Sequence, residues 1–282
     1  MRKKFSMSYY TILNLNKEPF STSPDPYFLY PSMSHRQALQ RLEIAIRLKR
    51  GLSLILGDVG TGKTTLARTL IQTLNQEHGF ISHMIFDPAY DSEFQFITNL
   101  AKLFGIKPYF RSVLDCKEAI ERFLFKKCVE QENIIVLVID EAQKLSASSI
   151  EILRTLLNYE TNEYKLLQLV VMGQMELLPR LKRIRNFSDR VTLKYIINPL
   201  DINETKNMIE FRLKQAGYNS GKTLFSEKAI NLIYQHTQGY PRRIANLCHL
   251  ALEELVITER SFVEEDMIVK IVECDRKIGL DD

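Results

Sequence analysis

Gly57, Gly62, Lys63 and Thr64 fill every fixed position of the pattern G-x-x-x-x-G-K-[ST], directly after the apolar run Leu52–Leu56. Each residue type in that pattern has a physical use. Glycines let the backbone wrap closely enough for its N–H groups to face phosphates, and a helix opening near Gly62 adds the positive end of its dipole. The residues that would line a nucleotide's phosphates are Gly57, Asp58, Val59, Gly60, Thr61, Gly62, Lys63, Thr64 and Thr65. Lys63 is long enough to reach the β- and γ-phosphates of ATP, and the Thr64 hydroxyl is placed to ligate Mg²⁺. The plain alternative is a chance glycine turn, which does not account for the strand before it and the helix after it.

Asp140 and Glu141 follow a second apolar run, Ile134–Ile139. Acids often simply end a strand. Beside a complete phosphate loop they acquire chemistry: Asp140 would hold Mg²⁺ through water, and Glu141 would polarise the attacking water as general base. A glutamate in that role favours a hydrolase over a transferase. Gln174 follows the run Leu167–Met172 and is the polar residue expected between the two acids, able to orient water or the γ-phosphate; the alternative is a solvent-facing loop glutamine.

Two arginines are candidates for completing the site. Arg190 precedes the run Val191–Ile197 and could project towards a neighbouring subunit's nucleotide, where an arginine stabilises charge on the transferring group. Arg183 and Arg185 are alternatives for that role. Arg190 could equally be one member of a basic face, since Arg180–Lys194 carries six positive side chains against Asp189 alone. Such a run could contact nucleic-acid phosphates, a subunit interface or solvent, and Phe187 by itself is no aromatic platform. Arg242, in Gly239-Tyr-Pro-Arg-Arg243, opens a helix in which Pro241 is tolerated in the first turn, and could reach the γ-phosphate. Arg243 is the fallback, and a plain surface pair is the alternative. Ser220-Gly-Lys-Thr223 lacks the first glycine and the preceding strand, so it is a decoy.

The elements that must position these residues are strands alternating with helices. Strands at Leu52–Leu56, Ile81–Asp87, Ile134–Ile139, Leu167–Met172 and Val191–Ile197 are separated by helices starting at Ser32 or Ser34, Lys63, Asp91, Asp115, Ala147 and Leu177. This order implies an α/β fold with parallel pairing and right-handed crossovers. After Asp201 the strands stop. Helices at about Glu204–Ala216, Ser226–Gln238, Pro241–Thr258 and Val263–Asp275 predict an all-helical unit, small enough that its apolar faces should close partly against the α/β body. Residues 1–31 read as irregular because prolines punctuate them. The expected division is therefore 1–31, 32–200 and 201–282.

Composition excludes little. A net charge of +4 is too small to diagnose a nucleic-acid partner, so any basic surface must be argued locally. No apolar run approaches the roughly 18 residues that span a bilayer. No long apolar stretch follows Met1-Arg-Lys-Lys4, so no secretory signal is expected. Cys116, Cys128, Cys248 and Cys274 are scattered and read as reduced, mostly buried thiols of a cytoplasmic protein. The five histidines show no metal-ligand spacing.

Several further stretches carry a resemblance: Pro19-Phe20, Pro24-Asp-Pro-Tyr-Phe-Leu-Tyr30, Ser34-His-Arg-Gln-Ala38, Ile139-Asp-Glu-Ala-Gln143, Leu167–Gln174 and Gly239–Cys248. With the phosphate loop they resemble the AAA+ ATPase domain of the general-secretion-pathway A family (ExeA/GspA type). The resemblance implies a P-loop AAA+ three-layer sandwich with a five-stranded parallel sheet, followed by a small helical lid. It also implies Mg²⁺-dependent ATP hydrolysis and assembly into a ring or filament. Lys63, Thr64, Asp140 and Glu141 keep the roles given above, Gln174 becomes a first sensor, Arg190 the finger and Arg242 a second sensor. The family's N-terminus begins near Met7, so Met1–Ser6 reads as an extension or a misassigned start. Secretion-type members continue into a membrane span and a peptidoglycan-binding region, and this chain stops at Asp282 with neither. That favours a comparison with the related ATPase regulators of transposition (TnsC, TniB and MuB type), which assemble on double-stranded DNA and recruit a transposase. The expected protein partner is thus a secretion component or a transposase.

Overall fold

The computed structural model describes residues 8–107, 109–184, 187–221 and 223–278, and they divide into two compact units. One is formed by 33–59 with 63–197, the other by 8–32, 60–62 and 198–278. Met1–Ser6 and Lys222 of the decoy stretch lie outside the described residues.

The first unit is built on strands β1 (Leu52–Gly57), β2 (Phe80–Ile85), β3 (Ile134–Ile139), β4 (Leu167–Gly173) and β5 (Val191–Ile197). They form one sheet in the order β2-β3-β4-β1-β5, with every neighbouring pair parallel. Parallel strands covered on both faces need apolar residues at consecutive positions, and the three central strands supply them. Ile135, Leu137, Ile139, Leu169 and Val171 share one core with Phe96, Ile97, Ile120, Leu124 and Leu153. These last come from helices Glu93–Leu103, Val113–Phe125 and Ala147–Leu156. The alternating set Ile55, Val136, Val138, Val170 and Met172 packs on the other face against Ala38, Leu42, Ile46, Leu66 and Leu70. Those belong to helices Met33–Arg47 and Lys63–Asn75. The result is the expected three-layer sandwich. A one-residue slip of any central strand would exchange its two sets of side chains between these cores, so the register is strongly fixed.

Element ends differ from the sequence expectation where capping decides them. The helix expected from Asp115 starts at Val113, because Ser112 Oγ accepts from Asp115 N while the Asp115 carboxylate accepts from Ser112 N. It ends at Phe125 and passes into a π turn, Lys126–Glu130. Strand β2 stops at Ile85, two residues short of Asp87.

The second unit contains helices Ile202–Gln215, Glu227–Thr237, Pro241–Ile257 and Glu265–Ile278. Ile209, Leu213, Ile230, Ile233, Ile244, Leu252 and Ile268 form its core, and Tyr9 and Phe20 from the N-terminal residues join it. The Phe20 ring meets Phe225 edge-on, with centroids 6.0 Å apart. Residues 8–31 are also less irregular than the prolines suggested. Tyr9–Ile12 is a single helical turn. Pro26–Phe28 is a 3₁₀ turn in which proline's fixed φ suits the first position, and the Asp25 carboxylate accepts from Tyr27 N.

Arg212 fastens this segment. Its guanidinium donates to the carbonyls of Phe28 (3.2 Å), Pro19 (3.4 Å) and Ser21 (3.2 Å). Burial pulls its pKa down to about 10. The N-terminal residues therefore fill core space in a unit that the sequence reading left short of apolar cover. Cys116, Cys128 and Cys248 are buried free thiols and Cys274 is exposed. Among the described residues no helix is long and apolar enough to cross a membrane.

Candidate nucleotide site

Parallel strands bring their C-terminal ends to one edge of a sheet, and ligands of open α/β sheets bind there. Strand β1 delivers Gly57, β3 delivers Asp140 and Glu141, and β4, lying between β1 and β3, delivers Gly173 and Gln174.

At the start of helix Lys63–Asn75, the buried Lys63 Nζ donates to Gly57 O and Asp58 O, both at 2.8 Å. Burial pulls its pKa down, against the raising effect of Asp140, Glu141 and Asp58. The next residue, Thr64, donates from Oγ1 to Asp140 Oδ2 at 2.5 Å. Asp140 also accepts from Glu141 N (3.0 Å) and is 2% exposed. Burial pushes its pKa up, partly offset by those hydrogen bonds and by the charge of Lys63. A hydroxyl and a carboxylate in contact are the hard oxygen donors that Mg²⁺ takes, and a divalent cation would offset the buried Asp140 charge, so the residues present fit that ion.

Glu141 has φ +50 and leads into a 3₁₀ turn, Ala142–Lys144. Its Oε2 accepts from Gln143 Nε2 at 2.6 Å, and Gln143 Oε1 accepts from the backbone N of Gln174 at 3.2 Å. In the sequence, Gln143 stands only at the end of the stretch Ile139–Gln143 and carries no role of its own. An amide two residues after the glutamate was the available signal. Arg180, from helix Leu177–Arg183, donates to the carbonyls of Gln143 and Leu145.

Two other cations of the basic run also have local engagements or positions. Arg190 is half-buried and its Nη1 donates to Arg154 O at 2.8 Å. Arg183 is exposed at the end of its helix, and Arg185 lies outside the described residues. The run is thus not a uniform basic face: Arg180 and Arg190 both bond backbone carbonyls, while Lys182, Arg183 and Lys194 are exposed.

The turn Gly60–Gly62 groups with the helical unit. There Arg242 N donates to Gly60 O at 3.2 Å, with Pro241 opening the helix as expected. Gly60 has φ +82, and a Cβ on it would stand 3.0 Å from Arg242 Cβ, so both conformation and approach call for glycine. Arg243 lies over the Tyr240 ring, 5.3 Å from its centroid.

Residues 46–181 match the family model described as an AAA domain. Over 253 residues the chain is 35% identical to general secretion pathway protein A of Aeromonas hydrophila, covering 86% of this chain and 44% of that one. The chain thus spans less than half the length of that relative. In structure it is similar to the Aeropyrum pernix ORC2 protein in its ADPNP-ADP complexes, with TM-score 0.68 at 16% identity over 92% of this chain and 71% of that one. It is similar to Cdc6p of Pyrobaculum aerophilum, with TM-score 0.65 at 22% identity, 87% and 67% covered. The Thermotoga maritima RuvB Holliday junction branch migration motor gives 0.58 at 17% identity, 86% and 69% covered. The chain carries an AAA domain in an AAA+ fold, and its likeness to general secretion pathway protein A bears out the resemblance read from its motifs.

Proposed function

We propose that this chain is a Mg²⁺-dependent ATPase whose nucleotide site is completed by a neighbouring copy, and that turnover drives assembly of a macromolecular partner. The observation that carries the reading is the contact between Thr64 Oγ1 and Asp140 Oδ2 at 2.5 Å. It joins the phosphate loop to the acid pair, as a shared metal site requires. When bound, Mg²⁺ would neutralise charge on the β- and γ-phosphates. Lys63, Thr64 and the loop N–H groups of Gly57–Gly62 would hold the phosphates, and Asp140 would hold the ion's water shell. Glu141 would take the proton of the attacking water, and Gln174 would orient that water or the γ-phosphate. Arg242 would report nucleotide state to the helical unit. For the finger, Arg190 would have to leave Arg154 O, whereas Arg183 is already exposed.

Purified Glu141→Gln should bind ATP with normal affinity and lose turnover. Unchanged hydrolysis would sink the assigned mechanism.

The proposed partner is a component of a secretion or envelope apparatus, supported by the likeness to general secretion pathway protein A. A second reading, binding to double-stranded DNA in the manner of a transposition regulator, is favoured by the exposed Lys182, Arg183 and Lys194. Duplex DNA titrated into the ATP-bound protein separates the two: salt-sensitive binding with stimulated turnover supports the second, and no binding at low salt removes it.

A further inference from the structure

We propose that Gln143 is the positioning residue for Glu141, tying the base's carboxylate to the end of β4. The inference rests on Glu141 acting as general base. Gln143 uses both ends of one amide: Nε2 donates to Glu141 Oε2 at 2.6 Å, and Oε1 accepts from Gln174 N at 3.2 Å. A primary amide can donate and accept at once, whereas a carboxylate only accepts and an ammonium only donates.

Glu141 needs such a restraint. Its backbone is held at φ +50, but a free glutamate side chain keeps its rotamer freedom. The residue doing the restraining is itself held. Lys144 N donates to Glu141 O (2.9 Å) and Leu145 N to Ala142 O (3.1 Å), while Arg180 donates to Gln143 O and Leu145 O. On the other side, Gly173 clears the approach. A Cβ there would stand 3.2 Å from Gln143 Oε1 and 2.9 Å from Leu177 Cδ2. The base is therefore linked, through one side chain, to the backbone that follows β4. A shift of Gln174 is transmitted to the Glu141 carboxylate.

Three variants of the full chain test this, each measured for kcat, KM, melting temperature and affinity for a fluorescent ATP analogue. Gln143→Ala should lower kcat about tenfold to a hundredfold, with KM and affinity nearly unchanged, because a positioned base has been loosened. Gln143→Glu keeps an acceptor for Gln174 N but loses the donor to Glu141. Its kcat should fall about as far as in Gln143→Ala, again with KM and affinity nearly unchanged, because the base loses its donor and faces a second carboxylate. Adding Gln143→Ala to Glu141→Gln should cost nothing beyond Glu141→Gln alone. Wild-type turnover by Gln143→Glu would overturn the proposal, since a residue that only held the loop would tolerate that change. So would a further loss in the double variant. If Glu141→Gln is inactive while Gln143→Ala keeps full rate, this inference alone fails. If Glu141→Gln turns over normally, the reading of Glu141 as base fails first.

Discussion

Thr64 Oγ1 and Asp140 Oδ2 are 2.5 Å apart although 76 positions separate them in the chain. The contact joins the first turn of the helix after β1 to the residue that follows β3, past the intervening strand β4.

In the proposed mechanism that contact sets the demand for metal. Thr64→Ala removes one of the two oxygens and leaves Asp140. ATP turnover should then need about tenfold more Mg²⁺ to reach half its maximum, by the usual weight of one ligand's support. A magnesium titration of hydrolysis measures it. A superimposable curve would remove Thr64 from the metal site.

The burial of Asp140 makes a pH prediction with a definite sign. Its folded pKa lies above the ordinary value of 3.8, so the fold favours the protonated form. The associated stability is fully present below that ordinary value and is lost as pH rises through the folded pKa. Asp140→Asn carries no such penalty. It should be more stable than the wild type at pH 7.5, with the gain fading towards pH 3.8, while hydrolysis is lost. Denaturant melts at several pH values check this. A variant less stable at pH 7.5 would contradict it.

Gly60→Ala combines two costs. The backbone sits at φ +82, and the added carbon would lie 3.0 Å from Arg242 Cβ. The conformational part alone is about 1–2 kcal/mol. Affinity for an ATP analogue should fall about tenfold or more, as the loop relaxes away from its geometry. Equal affinity in a titration would show that the loop tolerates the change.

Arg212→Met should loosen residues 8–32. It leaves the carbonyls of Pro19, Ser21 and Phe28 without their donor inside a buried region, at about 1–3 kcal/mol per unsatisfied group, reduced by removal of a buried charge. Hydrogen exchange should rise first in that segment, and protease should cut there. Protection equal to the wild type would mean that Tyr9 and Phe20 suffice to hold it.

The sheet was readable because its three central strands are apolar at nearly every position, a pattern that only burial on both faces explains. The phosphate loop was readable because its chemistry demands fixed spacings. Gln143 was not. Its role depends on Gln174 N arriving from another strand, and no local pattern encodes that meeting. The same holds for Arg180, read as part of a basic run, and for Arg190, read as a finger or a member of that run: they bond the carbonyls of Gln143, Leu145 and Arg154. Carbonyl partners leave no trace in side-chain composition. In residues 8–31 the prolines were read as breaking structure, whereas Pro26 opens a turn and Phe20 fills a core.

The shared core of residues 8–32 and 198–278 makes the α/β unit an insertion into the helical one. Arg212 and the Phe28 carbonyl it binds are 184 positions apart. During synthesis the N-terminal segment must wait, unpaired, until the whole sheet and most of the last helices have emerged. The α/β unit can mature before then, since its own cores use none of that segment. Closure of the helical unit is therefore the late event in folding, and a chain started beyond Phe20 would reach it with a hole where that ring belongs.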